Sequence, residues 1–122
     1  MQNRKYDLED RLVDYTCRMI DVVEVLPNTR SGNYIAGQLI QSCHSPTFNY
    51  GEAQAAESPK DFVHKMGVVL KELKECRVAI KVILNKEMIK PVSKLDSVCK
   101  ETEELIAIIA KSIITAKKNI IL

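Results

Sequence analysis

Ser42, His44 and Glu52 supply the side-chain types of a hydrolytic triad within one short segment. A triad needs nucleophile and base within hydrogen-bond reach. Ser42 and His44 are two positions apart, roughly 200° around a helix, so one helix cannot bring them together. Cys43 and His44 are adjacent and face different sides, so a shared metal site would need a second subunit. Asp61 and His64 form a single Asp-x-x-His at a helix start. Metal-binding bundles use two Glu-x-x-His motifs with two further carboxylates, so this pair reads as a capping aspartate and a surface histidine. The glycines Gly32, Gly37, Gly51 and Gly67 follow no phosphate-loop pattern, and Gly32 and Gly37 suggest close helix approach. The expectation is a non-enzymatic protein with no metal and no cofactor.

Two further groups carry chemistry of other kinds. Lys71, Lys74, Arg77 and Lys81 recur at spacings of three, three and four, on a broad common helix face. Such a face either contacts phosphates or is a solvated surface with local ion pairs, since Glu72 and Glu75 lie beside it. No aromatic residue of that face interleaves for base stacking. Gln38, Ser42, Ser45, Asn49 and Glu52 advance by four, three, four and three, a heptad stripe. From Ser31 through Gly51 there is no Asp, Glu, Lys or Arg, in a chain that is 28% charged. A solvated helix face normally carries charge. The stripe therefore reads as an internal polar seam, either a register-fixing network or the lining of a ligand pocket. If buried, Glu52 needs an Arg or Lys from another helix.

These groups must be positioned by helices. Leu8, Leu12, Tyr15, Met19, Val22 and Leu26 mark the first, closed by Pro27. The second spans about Thr29 to Glu57, with Asn28 as N-cap and a kink at Pro46. Ser58, Pro59 and Asp61 open the third, whose apolar series is Phe62, Met66, Val69, Leu73, Cys76, Ile80 and Ile83. The chain must break near Lys90-Pro91. Ser93 is the expected cap of the fourth, which repeats as Leu95, Val98, Thr102, Leu105, Ile109, Ser112 and Ala116, widened by Ile106, Ile113 and Ile114. Short connections make successive helices antiparallel. The predicted fold is all-α, an up-down-up-down four-helix bundle forming a single domain over residues 1–122.

Composition narrows the setting. Cys17, Cys43, Cys76 and Cys99 are far apart, each in a helical apolar pattern, which suits buried reduced thiols in a cytoplasmic protein. No signal peptide or lipidation motif is visible, and residues 31–51 are too polar to span lipid as a lone helix. Residues 1–58 hold five basic and eight acidic side chains, a net of −3, whereas residues 59–122 hold thirteen and eight, a net of +5. That asymmetry suits packing between subunits or a partner surface. The apolar end Ile120-Ile121-Leu122 also asks for cover.

Gln38-Leu39, Ser42, Ser45, Asn49 and Glu52, then Ser58-x-Lys60-Asp61-Phe62, then Glu72 and Glu75, resemble a known family. It comprises the bacterial four-helix-bundle proteins of 23S rRNA intervening sequences, related to accessory proteins of diversity-generating retroelements. The resemblance is densest over residues 38–76. It implies a ring-like homopentamer without known catalysis, and a nucleic acid or a nucleic-acid enzyme as partner. Relatives often carry arginines after the Gln-Leu pair and before the third helix. This chain has Ile40, Gln41, Ala55, Ala56 and Glu57 there, and Ala53 in place of a frequent glycine.

Overall fold

A computed structural model describes residues 7–120. Four antiparallel helices pack side by side: α1 (Leu8–Glu24), α2 (Arg30–Gln54), α3 (Pro59–Asn85) and α4 (Asp96–Ile120). A 3₁₀ turn, Val92–Leu95, precedes α4, and there is no strand among the described residues. Packing is most extensive between α2 and α3, and sparse between α1 and α4.

The apolar stripes of α1, α3 and α4 meet Leu39 and Cys43 of α2 in one core. Leu12, Tyr15, Met19, Leu39, Leu73, Cys76, Ile83, Leu105 and Ile109 are fully buried. Each large aliphatic side chain so placed contributes roughly 1.5–3 kcal/mol relative to exposure. Ile114 departs from expectation and stands in solvent. So does Cys17 on the outer side of α1, while Cys99 is half-buried. Cys43 and Cys76 are enclosed, and burial pushes their thiols up to about 11 and about 12. Residues 121 and 122 of the apolar end lie outside the described residues.

Two polar nodes interrupt the apolar core. Tyr15 Oη and Thr102 Oγ1 lie 2.7 Å apart, joining α1 to α4, and Thr102 Oγ1 donates to the Val98 carbonyl at 2.6 Å. One proton per hydroxyl then makes Tyr15 the donor of the pair. Thr16 Oγ1 lies 2.8 Å from the Cys43 carbonyl and 2.7 Å from Thr47 Oγ1. A closed set has Thr47 donating to Thr16 and Thr16 to Cys43, which ties α1 to α2 beside Pro46. Helix α2 runs through Pro46 as one element, with the proline ring buried.

The helix ends show where local chemistry decides. Thr29, not Asn28, caps α2, its hydroxyl accepting from Gly32 N at 3.0 Å. Ser58 caps α3 by accepting from Asp61 N at 3.1 Å, with Pro59 in the first turn. Helix α3 ends at Asn85, ahead of the expected break at Pro91. Met88 N donates to the Ile83 carbonyl and Glu87 N to the Leu84 carbonyl. That is a Schellman closure, usually built on glycine, and Glu87 occupies its left-handed position at φ 49°. Ser93 falls within the 3₁₀ turn instead of capping α4.

Two substitutions test these ends. A Cβ at Gly32 would sit 1.9 Å from the Pro27 carbonyl oxygen, so the loop before α2 passes too close for any side chain. Gly32→Ala is expected to destabilise the fold by about 1–3 kcal/mol. Glu87→Gly removes the left-handed strain and is expected to stabilise by about 1 kcal/mol. Denaturant midpoints of the two variants check both signs.

Candidate functional site

The structure separates residues that share a stripe in the sequence. Ser42 is buried, Ser45 and Asn49 are half-buried, and Gln38 and Glu52 are exposed. In the protomer the stripe is thus exposed at both ends and buried at Ser42, not enclosed along its length. The Asn49 amide donates to the carbonyl and hydroxyl of Ser45 at 2.9 and 3.0 Å, closing on its own helix. Glu52 Oε1 meets Lys65 Nζ of α3 at 3.0 Å, at the surface. Ser42 Oγ donates to Glu75 Oε1 across the α2–α3 contact at 3.4 Å, a long bond.

The basic residues of α3 divide between two sides. Lys71 and Lys74 line the groove between α2 and α3, whereas Arg77 and Lys81 line a smaller cleft against α4 with Cys99 and Thr102. Arg77 is held by Glu103 at 3.2 Å.

None of the triad residue types converge. His44 Nδ1 lies 2.6 Å from the Ile40 carbonyl, so it carries the proton and donates. Cys43 Sγ does approach that nitrogen, at 3.7 Å, closer than helix geometry suggested. A protonated Nδ1 cannot accept the thiol proton, and burial opposes a thiolate in any case. The outer face of the imidazole stacks near Phe48, with ring centroids 6.4 Å apart. Among the described residues no cluster of His, Cys, Asp and Glu could hold a metal ion. No helix among them is long and apolar enough to cross a membrane.

A groove with a volume of about 740 Å³ runs between α2 and α3. Its walls are Tyr34, Ile35, Gln38 and Ser42 from α2, and Gly67, Leu70, Val78, Ala79 and Val82 from α3. Tyr34 is 66% exposed and Val78 60% exposed. At one end the groove continues past Arg30, Lys86 and Met88. The uncharged run 31–51 supplies one whole wall, because α2 packs against α1 and α3 and its opposite side has no third neighbour. Sequence periodicity did not mark Tyr34, Val78 or Val82, which fall off the apolar stripes. The signal that could have found them was the same missing charge, read outward instead of inward.

Glu75 lines this groove and Glu72 stands one turn earlier, half-buried. Burial raises the Glu72 carboxyl above the usual glutamate range, and the neighbouring Glu75 raises it further, with Lys71 opposing. A carboxyl raised on folding binds its proton more tightly in the folded state. Its cost to stability is therefore absent at pH values below the ordinary range and grows as pH rises through and past it. Glu72→Gln is expected to raise the unfolding midpoint at pH 7 and to leave it unchanged near pH 3.5. Urea unfolding at the two pH values measures the difference.

No known family description matches the sequence, and no curated relative does. The fold has solved counterparts. A protein of unknown function from the S23 ribosomal protein family of Bacteroides thetaiotaomicron is 22% identical, with a TM-score of 0.80 over 88% of this chain and 98% of that one. The chain thus shares a four-helix fold with that protein.

Proposed function

We propose that the chain works by assembly and not by catalysis, as a homo-oligomeric four-helix bundle in the cytoplasm. Five chains in a ring is the arrangement that the family resemblance implies. The observation that carries this reading is the groove. A run of residues with no charge from Ser31 to Gly51 coincides with an open, apolar-walled surface beside Tyr34, Val78 and Val82. Contiguous exposed apolar surface on a small protein marks a contact site. The solved counterpart adds support for the fold on which the family resemblance depends.

A second reading is an accessory module for RNA or DNA, and one observation favours it. Tyr34 of α2 stands at the end of the groove lined by Arg30 and Lys86, so an aromatic ring does accompany cations once the helices are packed. A stacking ring beside phosphate-binding cations is a single-strand binding device. The cations are few, and Glu75 lies in the same groove.

Light scattering on a size-exclusion peak tests the first reading. The expected mass is a multiple of 13.8 kDa at micromolar concentration. A single-chain mass contradicts it. Titration of a fluorescent single-stranded RNA tests the second. The expectation is weak, sequence-indifferent binding that disappears between about 50 and 200 mM salt, as for a few phosphate contacts. Tight, selective binding at physiological salt would place the second reading first.

A further inference from the structure

We propose that the α2–α3 groove receives the outer face of α1 from a second copy of the chain, in a head-to-tail contact. This rests on the assembly reading above and names the surface that fills the groove. The groove is rimmed by Lys71 and Lys74 along its length and by Arg30 and Lys86 at its end, with Glu75 the acidic group inside. Helix α1 presents the opposite charge. Asp10, Asp14, Cys17, Asp21 and Glu24 advance by four, three, four and three, so they share the stripe opposite the buried Leu12, Tyr15, Met19 and Val22. Asp14, Asp21 and Glu24 are exposed, and Arg11 and Arg18 stand at one edge of this face, Arg18 paired with Asp14 at 3.4 Å and Arg11 turned to Glu101 of α4 at 2.7 Å.

The apolar content and the dimensions also match. Val13 and Val25 flank the acidic stripe and are 46% and 62% exposed, which neither the core nor a neighbouring helix explains. From Asp10 to Glu24 the stripe measures about 21 Å, and from Lys71 to Lys86 the basic side of the groove measures about 22 Å, at 1.5 Å rise per residue. The other surfaces of the chain fit less well. The outer side of α4 carries Lys100, Lys111, Lys117 and Lys118 against Glu103 and Glu104, so it lacks the continuous acidic stripe of α1. Groove against groove would set Lys71 and Lys74 against their own copies. Like charges across an interface oppose association. A contact between two different faces is heterologous, and it closes into a ring wherever the rotation between copies permits.

Charge reversal tests the pairing in the full chain. One variant carries Lys71→Glu, Lys74→Glu and Lys86→Glu. A second carries Asp14→Lys, Asp21→Lys and Glu24→Lys. A third combines all six. Mass is read by light scattering and folding by circular dichroism. Each set of three alone is expected to reduce the assembly to single chains, and the combined variant to recover the wild-type mass, since every contact is then reversed on both sides. If the groove set dissociates the assembly and the α1 set does not, the α1 pairing is overturned and the groove remains the contact surface. If both sets dissociate it and the combination fails to restore it, the two faces do not meet. If the groove set leaves the mass unchanged, the assembly reading of the groove falls as well. Should a reversed variant not fold, Asp21→Asn with Glu24→Asn replaces it. The expected result is then wild-type mass at low salt and at least a tenfold weaker association at 150 mM salt, and unchanged association overturns the pairing.

Discussion

Helix α2 has more uncharged surface than its two neighbours, α1 and α3, cover. One side meets α1 through Thr16 and Thr47, and another meets α3 through Ser42, Leu39 and Cys43. The remainder, with Tyr34, Gln38, Gln41 and Phe48, faces outward. A helix that was solvated for its own sake would carry Lys or Glu at these places, because charge holds a helix face in water at little cost. Their absence leaves a groove beside α3, whose charged rim is supplied by Lys71, Lys74, Arg30 and Lys86.

The polar nodes have a different task. Tyr15 with Thr102, and Thr16 with Thr47 and the Cys43 carbonyl, each lie buried between helices, and at the surface Arg11 adds a pair with Glu101 between α1 and α4. Aliphatic packing tolerates small shifts along a helix, whereas a buried hydroxyl without its partner costs roughly 1–3 kcal/mol. The nodes thereby select one register for α1 against both α2 and α4. No buried side-chain nitrogen or oxygen is left without a partner among the described residues. Once α1 is fixed in this register, its acidic side points away from the core.

The bundle was legible because period survives tertiary context: the apolar stripes of α1, α3 and α4 enter the core, and Ser58-Pro59 marks a helix start by chemistry local to the chain. The end of α3 was not legible. Its closing motif places glutamate where glycine is usual, so the composition of the turn concealed it, and Pro91 drew attention past the actual end at Asn85. The polar stripe was read as enclosed because a heptad spacing fixes which residues share a face but not how deeply that face is buried. Ser42 lies in the core and Glu52 at the surface on the same line. The groove needed two helices to be seen. Tyr34 and Val78 are far apart in sequence, and neither belongs to a periodic set.

Val78 offers the most direct test, because it is exposed in the protomer and lies on the groove wall. Glutamate there improves helix propensity and disturbs no core contact, so the protomer should remain folded. In an assembly that covers the groove, the same change buries an unpaired carboxylate. The measurement is the mass of folded Val78→Glu by light scattering at micromolar concentration, beside that of the wild type. A folded single chain from the variant, against an oligomer from the wild type, is the result expected of a groove that is a contact surface between copies. An unchanged oligomer in the variant would contradict it.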